Sequence, residues 1–145
     1  MLEPWSEDSV CFQSRTLPYP RWSTKVFMTI NHLNLTVTDV GAARDFLEKY
    51  FGLRPFSGGP DSERFALMFD DGGLVLTLMS EGERTEVNYP SSFHIGFRQE
   101  SEERVNEINQ RLKDDGFEVK APRRFHGSWT FYFKAPGGFT IEVLC

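Results

Sequence analysis

The sequence predicts an α+β fold made of two tandem βαβββ modules that form a cupped mixed sheet. Three observations predict it. An alternating strand with one histidine opens each half, 29–37 with His32 and 91–97 with His94. A stretch at helical spacing follows each of them, near 40–51 and 101–115. A glycine pair then leads into an alternating strand, Gly72-Gly73 before 74–80 and Gly137-Gly138 before the last strand. The element order is the same in both halves, so one unit is written twice.

Taken in order, residues 1–27 carry Pro4, Pro18 and Pro20 with no helical or strand period. They read as an extension, loosely ordered or lying on the domain surface, or as residues ahead of a natural start at Met28. The folded unit spans 28–145, with modules at about 28–86 and 90–145. In the first, Asp39 is placed to cap a helix whose Ala43, Phe46, Leu47, Tyr50 and Phe51 recur at helical spacing, and Gly52 stops it. Residues 55–60 read as a loop, 64–70 as a strand, 70–73 as a hairpin turn, and 74–80 as the partner strand. Polar residues 81–88 link the halves. In the second, Ser101 is the helix cap, Val105, Ile108 and Leu112 mark the buried stripe, and Gly116 is the stop. Short strands are expected at 117–121 and 129–134, with 135–138 turning into the last strand.

Composition narrows the class. The chain has 145 residues, enough for one domain with a core, and 26% charged with 14% aromatic residues describes a globular protein. A net charge of −5 argues against a nucleic-acid surface. No apolar run approaches the ~20 residues of a membrane span. With only Cys11 and Cys145, no disulfide framework is expected, and with no signal-peptide pattern the protein reads as cytoplasmic.

The chemistry lies in three strands. Glu142 sits in the last strand between Thr140 and Leu144, while Ile141 and Val143 point the other way. A buried carboxylate without a partner costs several kcal/mol, so Glu142 is either at an edge in water or held by something. His32 shares a face with Asn34 and Thr36, and His94 with Gly96 and Arg98. Either histidine alone reads as a structural residue, but at matched places in a repeat, with Glu142, they read as a metal site. If the modules pack about a pseudo-two-fold axis, these residues converge with Thr77, which matches Glu142 by its spacing from the glycine pair. Two imidazoles and a carboxylate with a poor fourth ligand leave coordination positions open, and the set suits Mn, Ni, Zn or Fe. Tyr132 shares a face with Thr130 and Lys134 and is either a donor to a developing oxyanion or a core tyrosine with its hydroxyl satisfied. Replacing it with Phe is expected to leave metal binding unchanged. Asn34 is expected to hydrogen-bond substrate or water. Arg98, Arg123, Arg124 and His126 read as anion contacts or as ordinary surface residues.

The motifs Asn31-His32-Leu33-Asn34-Leu35, Phe93-His94-Ile95-Gly96-Phe97 and the run from Phe131 through Pro136-Gly137-Gly138 to Val143 resemble the vicinal oxygen chelate superfamily. That superfamily includes glyoxalase I, fosfomycin-resistance thiol transferases, extradiol dioxygenases, epimerases and bleomycin-resistance binding proteins. The resemblance covers about 28–145 and implies a glyoxalase-like fold, usually in a homodimer. It implies one divalent metal ion held by His32, His94 and Glu142, and a small-molecule substrate, with neither nucleic acid nor membrane as partner. Against glyoxalase I stand His32 and Thr77 where that enzyme has a carboxylate or amide. Against the fosfomycin enzymes stand Asn34 in place of Thr and the lack of their serine- and lysine-bearing loop in 121–129. Fosfomycin enzymes and extradiol dioxygenases both share His, His, Glu and the tyrosine ten residues before the glutamate, but many of the dioxygenases use an additional module pair, so the resemblance singles out no subfamily. The implied function is a metal-dependent enzyme of lyase, thiol-transferase or dioxygenase type acting on an oxygen-rich molecule. The alternative is a metal-free binding protein of the bleomycin-resistance kind.

Overall fold

The computed structural model describes residues 29–57, 62–82 and 86–145. The extension at 1–27 and the glycines of the 55–60 loop therefore lie outside the described residues. Element order is β1 (His32–Thr36), α1 (Val40–Phe51), β2 (Arg54–Pro55), β3 (Phe65–Phe69), β4 (Val75–Met79), β5 (Ile95–Arg98), α2 (Glu102–Asp114), β6 (Arg123–Phe125), β7 (Ser128–Lys134) and β8 (Thr140–Leu144). This is βαβββ twice. Two four-stranded sheets result, ordered β1-β4-β3-β2 and β5-β8-β7-β6.

In the first sheet β1 runs parallel to β4, while β3 is antiparallel to both β4 and β2. Register sorts the side chains into two faces. Leu35, Leu76, Leu78 and Met68 lie on one face and are buried, as are Ala43, Phe46 and Leu47 of α1, which packs on β2, β3 and β4. Each of the Leu, Met and Phe side chains contributes about 1.5–3 kcal/mol. The other face is uncovered by a helix and carries His32, Asn34, Thr77, Leu67, Phe65 and Met79.

Helix α1 starts where Asp39 accepts a bond from the Ala42 amide at 2.8 Å, and ends at Gly52, whose φ of 68° is the left-handed region that glycine adopts at little cost. Ser101 caps α2 on the Arg104 amide. Both helices match the sequence expectation. So does the 70–73 turn, closed by the Leu74 amide on Asp70 Oδ1 at 2.7 Å.

Three strands differ from expectation. β2 falls partly in the stretch read as loop, because a two-residue edge strand containing Pro55 has too few residues to show a period. The strand expected at 117–121 is absent, and β6 forms at Arg123–Phe125 instead. The reason is its turn. His126 and Gly127 both have positive φ, 48° and 84°, as in a two-residue hairpin loop. That loop sets Arg123 opposite Thr130 and Phe125 opposite Ser128. Residues 117–120 are instead tied to α2, where buried Asn109 donates to the Lys120 carbonyl at 2.8 Å. The strand around His94 is also shifted, beginning at Ile95.

The described chain divides into two compact units. One contains the described residues up to Ile95 together with Lys134–Ile141, and the other contains Gly96–Phe133 with Glu142–Cys145. The β7–β8 turn thus belongs with the first module. The Thr38 amide donates to the Gly137 carbonyl at 3.1 Å. Gly137, at φ 96°, lies so close to Val37 that an added Cβ would sit 3.0 Å from it. Tyr89 secures the link region by donating to the Thr36 carbonyl at 2.9 Å and stacking on Phe93. Cys145 is not a free thiol, against the expectation drawn from the cysteine count, and Cys11 lies outside the described residues. No described helix is long and apolar enough to cross a membrane.

Candidate functional site

Strands β7 and β8 build the centre of the second unit. Trp129 and Cys145 exchange both backbone hydrogen bonds, at 3.1 and 3.0 Å. An antiparallel pair counted inward from there sets Tyr132 directly opposite Glu142, with Thr130 on the diagonal. The side chains follow that register. The Tyr132 hydroxyl donates to Glu142 Oε1 at 2.5 Å, and Thr130 Oγ1 lies 3.0 Å from the same oxygen and 2.9 Å from the Val143 carbonyl. Glu142 and Tyr132 are half-buried, and Thr130 is 1% exposed. Ile141, Val143, Phe131 and Phe133 are buried on the reverse face, the face that carries Trp129, which donates to Asn106 of α2. Glu142 is therefore a carboxylate held by two hydroxyls on an open sheet face, not an edge residue in water.

The phenol has been pushed up to about 12, chiefly by burial and then by its bond to the Glu142 carboxylate, with Arg123 acting in the opposite direction. It is a neutral donor at physiological pH. Gly96 leaves room beside the carboxylate, since a Cβ there would stand 3.8 Å from Glu142 Oε2 and 3.4 Å from Leu144.

The histidines belong to the other unit. His32 is exposed at the start of β1, with Nδ1 3.2 Å from Asn31 Oδ1. His94 is exposed just before β5, with Nδ1 3.0 Å from the Ser92 carbonyl oxygen. Carbonyl and amide oxygens only accept, so a proton on Nδ1 of each neutral ring would satisfy these contacts and leave the lone pair on Nε2. That is the tautomer a metal-binding imidazole needs, fixed by a partner on the second nitrogen. Asn34 is exposed, donates to Met79 Sδ at 3.0 Å, and stands in register with buried Thr77.

The structure thus brings Glu142, Tyr132 and Thr130 together in one unit and leaves His32, His94 and Asn34 in the other. Among the described residues, no three His, Cys, Asp or Glu side chains gather closely enough to hold a metal ion. Taken one by one, the donors fit a divalent ion: two imidazoles of suitable tautomer and an oriented carboxylate. Thr130 was missed by sequence reasoning, although its place on the Tyr132 face was the available signal. Phe125 was also missed. It lies edge-on to Tyr132 with ring centres 6.5 Å apart, which no strand period outside 123–125 announces. Of the other residues considered, Arg124 pairs with Glu102, Arg123 lies over Phe125, and His126 lies against the Phe125 ring.

Comparison with known proteins bears on the family and the fold. A structure described as a possible glyoxalase from Bacillus cereus is 59% identical, with a TM-score of 0.74 over 82% of this chain and 100% of that one. The fosfomycin resistance protein of Listeria monocytogenes, solved with Mn(II) and 1S,2S-dihydroxypropylphosphonic acid, shares the fold at 24% identity, with a TM-score of 0.65 over 81% of this chain and 92% of that one. A trivalent organoarsenical cleaving enzyme from Bacillus sp. (strain MD1) is 35% identical over 89 residues, which are 61% of this chain and 52% of that enzyme. The chain thus spans about half the length of that curated relative. The model of the glyoxalase/bleomycin resistance protein/dioxygenase superfamily matches residues 29–143, and the chain belongs to that superfamily.

Proposed function

We propose that the protein is a divalent-metal-dependent enzyme acting on a small oxygen-rich molecule, with His32, His94 and Glu142 as the metal ligands. The observation that carries this reading is the Glu142 carboxylate, fixed on an open sheet face by Tyr132 and Thr130. The Tyr132 donor on that oxygen, with the Thr130 hydroxyl shared between it and the Val143 carbonyl, restricts the carboxylate's rotation, which is what an oriented ligand requires. When bound, the metal supplies Lewis-acid stabilisation of negative charge on a chelating substrate oxygen. This chain's own residues do the rest. Tyr132 is a neutral phenol at the edge of the site whose one proton goes to Glu142 Oε1, so its part is to hold that carboxylate in place. Asn34 offers an amide donor on the open face of the first sheet. The open face of that sheet, with Phe65, Leu67 and Met79, supplies apolar contact. Lyase, thiol-transfer and ring-cleaving reactions all suit this arrangement, and cleavage of a trivalent organoarsenical is a further reaction to assay. The reading places the protein in the cytoplasm, which fractionation of its host checks.

The apolar open face of the first sheet also favours a second reading, a metal-free protein that sequesters a small molecule. One titration separates the two. Metal-stripped protein is titrated by calorimetry with Mn(II), Ni(II), Zn(II) and Fe(II). At least one ion should bind the native chain far more tightly than the Glu142→Ala variant, by tenfold or more on the ~10–100-fold scale of metal-site perturbations. The fold of that variant is expected to survive, because the buried face of β8 is unchanged. If no metal distinguishes the two proteins, the sequestering reading takes over.

A further inference from the structure

A cavity of about 460 Å³ lies within the second unit, lined by Glu118, Lys120, Arg123, Thr130 and Tyr132 among others. It therefore adjoins the hydroxyls that hold Glu142. Its walls carry two cations against one carboxylate. Arg123 and Thr130 are register partners across β6 and β7, so their side chains leave the sheet on the same side. The neighbouring Arg124 leaves on the opposite side and is paired with Glu102. Arg123 has no carboxylate partner among the described residues. Its guanidinium instead lies 4.9 Å from the centre of the Phe125 ring, and Phe125 in turn meets Tyr132 edge-on. Arg123 and Tyr132 line the cavity, and Phe125, 38% exposed and outside that lining, touches both of their side chains.

An arginine on an aromatic face keeps its fork of donors available while the ring limits its motion. We propose that this cavity is the subsite for an anionic group of the substrate, a carboxylate or a phosphonate, held by Arg123 with help from Lys120, with an apolar part of the same molecule against Phe125. This rests on the reading that Glu142 and Tyr132 lie at the reaction centre, and it names the substrate class: small organic anions with an apolar or aryl portion. Glu118 reduces but does not cancel the positive charge that Lys120 and Arg123 bring to the cavity.

The test uses the full chain in EDTA, so that no anion can bind through a metal. Benzoate, phenylphosphonate and the neutral benzamide are the probes, and calorimetry reads their affinities. Benzoate or phenylphosphonate should bind roughly tenfold or more tightly than benzamide, since a charge-assisted bidentate contact is about twice as strong as a neutral one. Which anion binds better identifies the group the site accepts. Arg123→Gln should abolish the preference for the anion, Arg123→Lys should restore part of it, and Arg124→Gln, which also removes one positive charge, should leave it unchanged. Thermal unfolding verifies that the variants are folded. Equal binding of benzoate, phenylphosphonate and benzamide by the native chain overturns the proposal, as does an Arg123→Gln variant that still binds the anion as tightly as native protein. Because the probes act without metal, failure of the metal reading leaves this result standing, and the reverse also holds.

Discussion

Replacing Tyr132 with Phe removes one oxygen and leaves the ring in place. In the native chain that oxygen donates to Glu142 Oε1 at 2.5 Å, with Thr130 as the second donor at 3.0 Å. A hydrogen bond to a charged acceptor contributes about 1.5–3 kcal/mol. Both residues are half-buried, so water partly replaces the lost donor and a value of about 1.5 kcal/mol applies. At about 2–4 °C per kcal/mol for domains near this size, Tm should fall by about 3–6 °C. The same change lets the carboxylate rotate, and metal affinity should fall by about tenfold or more. This reverses the expectation from sequence that Tyr132→Phe leaves metal binding unchanged, because the hydroxyl is committed to the proposed ligand itself. The assay is scanning calorimetry for Tm and calorimetric Mn(II) titration of metal-stripped protein, run on Tyr132→Phe, Thr130→Val and the double variant. Since both hydroxyls hold one oxygen, the double variant should lose more than the sum of the singles, as Glu142 is then left without either donor. Native Tm and native Mn(II) affinity in Tyr132→Phe would refute the reasoning.

Alkaline titration tests the same contact by another route. The Tyr132 phenol is raised from 10.0 to about 12 in the fold, so the unfolded chain gives up this proton first. Its contribution to stability is complete below pH 10 and is lost as the pH rises towards 12. The denaturant midpoint of the metal-free native protein should therefore fall more steeply over that interval than that of Tyr132→Phe, and parallel curves would exclude the shift. The homodimer implied by the resemblance is expected to use exposed apolar residues other than those assigned to substrate contact, and Ile30 and Phe56 are exposed. Sedimentation equilibrium at micromolar protein should show a dimer, and a monomer alone would rule it out.

The sequence by itself determined the elements whose signals are local. Asp39, Gly52 and Ser101 act on the backbone within a few residues, so the ends of both helices could be read from them. The alternation in β4, β7 and β8 records which face is buried, and the repeat of glycine pairs and histidine strands revealed the two modules. His32, His94 and Glu142 stood out because their side chains contradict the apolar strands that carry them. The rest depends on contacts between residues distant in the chain. A two-residue strand such as β2 has no period, and β6 is positioned by the turn at His126-Gly127 rather than by its own residues. Whether Tyr132 faced a substrate or the carboxylate was set by strand register, which a one-residue slip would invert. That register also brought in Thr130 and made Glu142 a held group. The orientation of Arg123 towards Phe125, with Arg124 turned to Glu102, was likewise decided only when β6 paired with β7, because adjacent residues in a strand point to opposite faces and the sequence does not say which face is open.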